Sequence, residues 1–293
     1  MTPDEEFQQE PTGEVDRLIR LAIQEDIRSG DITSEACVSS DSIISGKLVL
    51  KQSAQVAGLP FVQEVFNKVS THVKVQLLVE EGSEHPAGTV LAIITGPARV
   101  IFAAERVVLN LIQHLSGIAT TTSKYVERVD GYNCDILDTR KTLPGLRHFE
   151  RYAVRVGGGK NHRSALDDRF IIKKNHLVFL AKESDTPILE AVKRVRAYKP
   201  HVQVEVEVEN LRQVEEAIES QVDIIMLDNM TIPMVRRAVK MIDSLAYVEA
   251  SVGITLDTVI AYAEAGVNGV AIGALTHSVK AIDISLRFRG LIH

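Results

Sequence analysis

The second half of the sequence repeats an apolar strand followed by an amphipathic helix, and this repeat restricts the fold more than any other feature. Apolar runs typical of strands occupy residues 134–138, 169–173, 203–208, 223–228, 247–250 and 269–273. Helical apolar spacing occupies residues 186–198, 211–220, 232–245 and 256–265. The last four strands recur about every 20–23 residues. Alternating units of this kind predict a parallel sheet, either open or closed into a barrel.

The first part of the chain, about 115 residues, lacks this repeat and predicts a mixed α+β region. Residues 15–24, 59–69 and 98–117 have the apolar spacing of helices. Residues 47–52 and 73–80 have the pattern of strands. Glycine and proline at residues 82–88 and 95–97 predict turns.

Polar residues follow the predicted strands where each strand ends. They are Asp138 with Arg140 and Lys141, then Lys173, Glu207, Asp228, Ser251 and Gly273. In α/β barrels the active site is built at the carboxyl ends of the strands. A barrel would therefore bring these residues around one opening.

Charge is distributed unevenly along the chain. The whole sequence has a net charge of −6, which argues against a general nucleic-acid partner. Residues 140–176 alone carry +7, and the rest of the chain carries −13. Arginine and lysine bind carboxylates and phosphates well, so this segment predicts a substrate with several negative charges. A solvated basic surface is the alternative explanation.

Acidic residues alternate along one predicted strand. Glu205, Glu207 and Glu209 share one face of it, and Glu207 lies one βα unit before Asp228. Two carboxylates at neighbouring strand ends could hold sugar hydroxyls or a magnesium–pyrophosphate group. Alternatively, they are structural partners of Lys141 and Lys173.

Two glycine-containing turns, at residues 250–254 and 272–276, join late strands to helices. Such turns present backbone N–H groups to phosphate. Together with the charge pattern, they predict a barrel enzyme for a phosphorylated, anionic substrate that acts with Mg²⁺.

Several features predict a cytoplasmic protein without a membrane partner. Cys37 and Cys134 form no CxxC pair, which suits a reducing compartment. The first residues are acidic and polar, unlike a signal peptide, and no apolar stretch is long enough for a membrane helix.

The ordered motifs of the chain resemble the quinolinate phosphoribosyltransferase family. The matching stretches are Glu25-Asp26, residues 30–33, 105–110, 138–145, 157–163, 172–176, 205–209, 227–230 and 273–278. They extend over about residues 20–290 in order, so the resemblance covers nearly the whole chain.

The resemblance implies an α/β fold with two domains. Residues 117–276 would form an incomplete TIM-like barrel. Residues 1–116 would form an N-terminal α/β sandwich-like domain, with residues 277–293 packing back onto it. It also implies at least a homodimer, in which Arg106 acts in the active site of the neighbouring subunit.

The resemblance also implies a reaction and a role for each matching residue. Phosphoribosyl would pass from 5-phosphoribosyl-1-pyrophosphate to quinolinate with loss of CO₂, giving nicotinate mononucleotide and pyrophosphate. The catalytic residues would be Lys141, Glu207 and Asp228, the two acids also facing Mg²⁺. Quinolinate would contact Arg106, Arg140, Thr142, His162, Arg163 and Lys173. The 5-phosphate would contact Ser251, Val252, Gly253, Gly273, Ala274 and Leu275.

Three positions depart from the family pattern. Val252 stands where glycine is expected, Lys174 replaces an acidic residue, and Lys160 replaces a less cationic one. The two lysines predict a more basic pocket region. The remaining alternatives are a sibling enzyme for a monocarboxylate such as nicotinate, a Schiff-base lyase using Lys173 or Lys141, and a non-catalytic metabolite-binding homologue.

Overall fold

The computed structural model describes residues 12–251 and 253–292 as a mixed α/β chain. In chain order the helices are α1 (Thr12–Asp26), α2 (Ile32–Cys37), α3 (Leu59–Val69), α4 (Ala98–Arg128), α5 (Arg147–Val156), α6 (Lys174–Leu180), α7 (Pro187–Tyr198), α8 (Leu211–Glu219), α9 (Ile232–Ile242), α10 (Val259–Ala265) and α11 (Ala274–His277). The strands are β1 (Ile43–Leu50), β2 (Ala54–Gln55), β3 (Lys74–Leu77), β4 (Glu84–His85), β5 (Val90–Pro97), β6 (Asp135–Leu137), β7 (Phe170–Ile172), β8 (Val204–Val208), β9 (Ile224–Asp228), β10 (Tyr247–Ser251), β11 (Gly269–Ala271) and β12 (Ile284–Ile292).

The chain divides into two compact units. The first contains the described residues up to Ser123, then Thr142–Gly158 and the chain from Ala274 onward. The second contains Lys124–Lys141 and Gly159–Gly273.

An antiparallel sheet of order β12-β1-β5-β3 organises the first unit. The predicted turn at residues 95–97 is wrong, because Thr95 and Gly96 belong to β5 and pair with β1. A Cβ atom at Gly96 would lie 2.9 Å from the Cα of Val73. Glycine stands here because another segment of backbone passes close by, not because the chain turns.

Helix α3 has the predicted bounds, and its first turn is stabilised by a distant acid. Glu81 accepts hydrogen bonds from the backbone N–H groups of Gly58 (2.6 Å) and Leu59 (3.0 Å). Gly58 has a φ of 96°, a conformation that favours glycine. The acid satisfies N–H groups that have no partner inside the helix.

The helix α5 was not predicted, because its charged residues obscure the apolar spacing. Its buried side chains include Phe149 and Tyr152, which pack edge-to-face against Phe61 of α3 at centroid distances of 5.0 and 5.1 Å. Burial of these three rings stabilises the first unit.

Helix α4 begins at the predicted residue but continues eleven residues past the predicted end at Gly117. A Cβ atom at Gly117 would lie 2.6 Å from the backbone oxygen of Lys280. Gly117 is therefore a point of close approach inside the helix rather than its end.

The second unit contains a six-stranded parallel sheet, as the βα repeat predicts. Its order is β6-β11-β10-β9-β8-β7. Each helix from α6 to α10 contacts the next along the chain. The first strand, β6, pairs with the last, β11, and the described residues show no pairing between β6 and β7. The parallel sheet is thus confirmed, while closure into a full barrel is not observed.

The helices of the described residues include none long and apolar enough to cross a membrane.

We predict that Gly117→Ala destabilises the protein by about 1–3 kcal/mol, because the added methyl group is forced against backbone. The measurement is the free energy of unfolding in urea. Gly13→Ala is the matched control, since Gly13 is also helical but has nothing within 4 Å of a Cβ atom. The control should leave stability unchanged or raise it by up to about 1 kcal/mol. Equal effects of the two substitutions would contradict the prediction.

Candidate functional site

A cavity of about 310 Å³ lies in the second unit, lined by residues at or just beyond the carboxyl ends of the strands. It brings together eight of the residues singled out from the sequence: Arg140, Lys141, His162, Arg163, Lys173, Glu207, Asp228 and Ser251. Strand register explains the grouping. Ser251 of β10 pairs with Asp228 on one side and with Ala271 of β11 on the other, so these strand ends are level.

Two guanidinium groups face this cavity, from Arg140 and Arg163. Burial lowers the pKa of Arg163, and the nearby charge of Arg140 lowers it further. Arg163 donates a hydrogen bond to the backbone oxygen of Arg169 (3.0 Å). The Nε of Arg140 is buried, with no hydrogen-bond partner among the described residues. An anion between the two arginines would therefore be stabilised by both.

Two carboxylates, Glu207 at β8 and Asp228 at the end of β9, also face the cavity. Burial raises the pKa of both carboxyl groups, and the charge of Asp228 raises that of Glu207 further. Lys173 has the opposite effect on both acids, and Lys174 and Lys141 have it on Asp228. The charge of Glu209 also raises the pKa of Asp228. The site thus holds two acids whose ionised forms are disfavoured by burial and by neighbouring carboxylates, beside two lysines. Bound cations or hydroxyl donors would relieve the repulsion.

The two additional lysines do not line the cavity, and each is paired with an acid. Lys174 donates to Glu209 at 2.7 Å, and Lys160 lies 2.8 Å from Asp135. The charge of Lys160 is balanced by Asp135, whereas the charge of Lys174 also lowers the pKa of the cavity acid Asp228. The expectation of a more basic pocket region is therefore met in part, through Lys174.

The ring of His162 is buried and is engaged through both nitrogens. Its Nε2 lies 3.3 Å from Glu205 Oε2 and 3.3 Å from Glu249 Oε2. With the ring neutral, its Nδ1 accepts a hydrogen bond from the backbone N–H of Arg163 (2.8 Å). Burial disfavours the charged ring, but the two carboxylates raise the pKa of His162 to about 9.

Asp138 fixes the segment that carries His162 and Arg163. Its buried carboxylate accepts hydrogen bonds from the His162 backbone N–H (2.6 Å) and from Asn161 Nδ2 (2.6 Å). The sequence analysis placed Asp138 at a strand end but did not assign it a structural role in holding residues 161 and 162. The sequence feature that could have indicated this role is an acid directly after an apolar strand.

Glu249 is a cavity-lining residue that the sequence analysis did not single out. It lies inside the apolar strand β10, and its carboxyl group is buried. Burial raises its pKa, and the charge of Glu205 raises it further. A carboxyl group within a buried strand is costly without a partner, so its position alone was a usable signal.

The remaining predicted residues do not line this cavity. Thr142 and Arg106 belong to the first unit. There the Thr142 hydroxyl accepts a hydrogen bond from Arg147 Nε (3.1 Å), and Arg106 is exposed on α4. Ala274 and Leu275 also belong to the first unit, and Leu275 is fully buried. Gly253, with a φ of 71°, and Gly273 belong to the second. Val252 lies outside the described residues.

Comparison with known proteins adds independent information. Residues 31–116 match the family model described as quinolinate phosphoribosyl transferase, N-terminal domain. Residues 118–287 match the model of the C-terminal domain of the same family.

Individual relatives match over nearly the full chain. A Bacillus subtilis protein named "Probable nicotinate-nucleotide pyrophosphorylase (carboxylating)" is 42% identical over 92% of this chain and 92% of its own. A Mycobacterium leprae protein with the name nicotinate-nucleotide pyrophosphorylase (carboxylating) is 39% identical over 92% of this chain and 95% of its own. The solved structure of the nicotinate-nucleotide pyrophosphorylase from Francisella tularensis superposes with a TM-score of 0.88 at 36% identity, covering 95% of this chain and 97% of that one.

Proposed function

The chain belongs to the quinolinate phosphoribosyltransferase family, and we propose that it transfers phosphoribosyl from 5-phosphoribosyl-1-pyrophosphate to quinolinate with loss of CO₂. The products are nicotinate mononucleotide, pyrophosphate and CO₂. The observation that carries the proposal is a cavity lined by both Arg140 and Arg163, which repel each other, and by both Glu207 and Asp228, whose carboxyl pKa values are raised. The name of the matching family and the word carboxylating in the names of the relatives support quinolinate as substrate rather than a monocarboxylate, and an enzyme rather than a silent homologue.

Quinolinate carries two adjacent carboxylates, which suit the cationic part of the cavity. Arg140, Arg163 and Lys173 bind them, and the bound charge offsets the repulsion between the two guanidinium groups. Two carboxylates match this excess of cations better than one, because buried cations without partners are costly. His162, which lines the same cavity, Thr142 and Arg106 complete the proposed quinolinate site.

The sugar phosphate occupies the acidic part of the proposed site. Glu207 and Asp228 accept hydrogen bonds from ribose hydroxyls, and Lys141 faces the pyrophosphate. Ser251 lines the same cavity and donates to the 5-phosphate. The other proposed phosphate contacts are Val252, Gly253, Gly273, Ala274 and Leu275.

The donor set of Glu207 and Asp228 fits Mg²⁺ bound together with pyrophosphate. Both are oxygen ligands at neighbouring strand ends. Their raised pKa values mean that the ionised carboxylates are destabilised in the protein alone, so a bound cation would stabilise them. Mg²⁺ commonly uses one or two protein carboxylates together with substrate phosphates. When bound, it would neutralise charge on the departing pyrophosphate.

The proposed chemistry consists largely of positioning two charged reactants. The pyridine nitrogen of quinolinate attacks the anomeric carbon of the sugar, and the bond from that carbon to pyrophosphate breaks. Glu207 and Asp228 stabilise the positive charge that develops on the sugar. Arg140, Arg163 and Lys173 hold the ring during transfer. The pyridinium nitrogen then stabilises the negative charge left at ring carbon 2 when its carboxylate departs as CO₂, and that carbon takes up a proton from water to give nicotinate mononucleotide.

The proposal extends to the architecture and the assembly. The strand order, in which the first strand pairs with the last, supports an incomplete barrel over residues 117–276. We propose that residues 1–116 form an N-terminal α/β sandwich-like domain, onto which residues 277–293 pack back. The pairing of β12 with β1 supports this packing of the C-terminal segment. We further propose a homodimer, with Arg106 acting across the interface, and a cytoplasmic location.

We predict that the purified protein releases CO₂ and pyrophosphate in equal amounts only when quinolinate, the sugar pyrophosphate and Mg²⁺ are all present. Radiolabelled CO₂ and enzymatic pyrophosphate assays measure the two products. Nicotinate in place of quinolinate should release no pyrophosphate. Asp228→Asn should bind quinolinate but lose most product formation. A protein that binds both substrates and releases neither product would contradict the proposal.

We predict that Arg140→Ala and Arg163→Ala each raise KM for quinolinate by about tenfold or more, since each removes a charged hydrogen-bond donor. KM for the sugar pyrophosphate should change far less. Steady-state kinetics with each substrate varied in turn separates the two effects. Arg236→Ala, which breaks an exposed pair with Glu264, is the control and should change neither. Equal losses for both substrates would contradict this division of the cavity.

We predict that mixing inactive Arg106→Ala and Lys173→Ala proteins restores activity after subunit exchange. A mixed dimer would contain one site with both native residues, so about a quarter of the wild-type activity should return if exchange is complete and random. Exchange is verified separately by mass spectrometry of labelled subunits. Verified exchange without recovery would show that Arg106 does not act across the interface.

A further inference from the structure

Asp138 lies between the two chain segments that carry the cavity arginines, and the proposed function gives it no ligand. It directly follows β6 and stands two residues before Arg140. Its side chain is only 1% exposed, and it does not line the cavity, although its neighbours Thr139 and Arg140 do. A buried carboxylate is costly unless it is hydrogen-bonded, so its partners within the protein indicate what it does.

Both carboxylate oxygens of Asp138 hold the segment that leads to Arg163. Its Oδ1 accepts a hydrogen bond from the backbone N–H of His162 (2.6 Å), and its Oδ2 accepts one from Asn161 Nδ2 (2.6 Å). Hydrogen bonds to an ionised acceptor are roughly twice as strong as those between neutral groups. The backbone that carries Arg163 is therefore fixed relative to Asp138.

Backbone hydrogen bonds join the same two segments just before this point. The N–H of Lys160 donates to the oxygen of Ile136 (2.7 Å), and the N–H of Asp138 donates to the oxygen of Lys160 (3.1 Å). Lys160 thus pairs with Leu137 of β6 as in a parallel sheet. The Asp138 carboxylate continues this connection toward the two arginines.

The two arginines require such a connection because their charges repel. Both line the same cavity, and the charge of Arg140 lowers the pKa of Arg163. The guanidinium of Arg163 is also held by its hydrogen bond to the backbone oxygen of Arg169 (3.0 Å). Arg163 is therefore held at its backbone through Asp138 and at its guanidinium through Arg169, which opposes its movement away from Arg140.

We propose that Asp138 is a positioning residue that sets the separation of Arg140 and Arg163 and thereby selects ligands whose two carboxylates are adjacent. The inference rests on the proposed function for the role of the two arginines as carboxylate-binding groups. Donors held at a fixed separation favour the anion whose oxygens match it, because a mismatched anion loses a charged hydrogen bond. The preference between isomers of equal charge therefore reports this separation.

The binding test uses two probes of equal charge, benzene-1,2-dicarboxylate and benzene-1,3-dicarboxylate. Neither contains the pyridine nitrogen that attacks the sugar, so calorimetry in phosphate-free buffer gives Kd without reaction. The wild type should prefer the 1,2 isomer by about tenfold or more, the effect of one hydrogen bond to a charged group. In Asp138→Asn the preference should fall to about threefold or less, because an amide offers one acceptor oxygen to the two donors.

Asp223→Asn is the matched control, because Asp223 also connects two segments. It accepts hydrogen bonds from the backbone N–H of Val204 (2.7 Å) and from Arg196 (2.8 Å), but at the amino ends of β8 and β9. This variant should lose stability and keep the wild-type preference between the isomers.

Asn161→Ala tests the same connection if Asp138→Asn does not fold. It removes one of the two side-chain bonds to the segment and should lower the preference by about threefold, the effect of one ordinary hydrogen bond.

Steady-state kinetics add a measurement with the reacting substrates. Asp138→Asn should raise KM for quinolinate by about tenfold and leave KM for the sugar pyrophosphate within about twofold. A mere loss of folded protein would instead lower the apparent kcat and leave both KM values unchanged.

Three results would overturn the inference. One is a wild type that binds neither isomer or binds both equally, which needs no variant. Another is the wild-type preference in folded Asp138→Asn or, where that variant does not fold, in folded Asn161→Ala. The third is an equal fall in preference in Asp223→Asn. These results concern binding alone, whereas failure of the proposed function would be a wild type that forms no product from quinolinate.

Discussion

Six parallel strands ending at the same edge of one sheet are the constraint on which the candidate site depends. The register places Leu137, Ala271, Ser251 and Asp228 level across four adjacent strands. The next residues along the chain therefore meet without any of them being close in sequence. Fully buried valines at positions 204, 206 and 208 keep the β8 backbone in place beneath this edge. Burial of apolar surface in the sheet offsets the cost of collecting like charges at its end.

The charges near the cavity separate into groups that are balanced within the protein and groups that are not. Lys160 and Lys174 each have an acidic partner outside the cavity lining, and Arg169 pairs with Glu205. Arg140 and Arg163 instead repel each other. Net charge along the chain therefore describes the pocket only in part, because pairing with acids outside the basic segment balances some of its cations. The positive charges of Arg140 and Arg163 remain at the cavity, where a bound dicarboxylate could pair with them.

Helices and strands were predicted correctly from the sequence where the spacing of apolar residues matches which side chains are buried. All six strands of the second unit lie within the predicted runs to within one or two residues, and α3 has its predicted bounds. Prediction of turns and helix ends failed where a residue type is required by a contact with a segment distant in sequence. Gly96 and Gly117 look like chain breaks, yet each stands inside a regular element because another backbone passes within 3 Å of its Cβ position. The helix α5 was missed because its charged residues obscure the apolar spacing, although most of its residues are buried.

The sequence by itself determined the strand–helix repeat, the parallel sheet and the set of charged residues at the strand ends, because these follow from apolar spacing along the chain. Its ordered motifs also determined the family. Only the tertiary structure decided which of those residues share a cavity, that Glu249 joins them, and that the His162 ring faces Glu205 and Glu249 with one nitrogen and Arg163 with the other. The physical reason is that strand order and register set the contacts between side chains, and the pattern within one strand does not specify its neighbour.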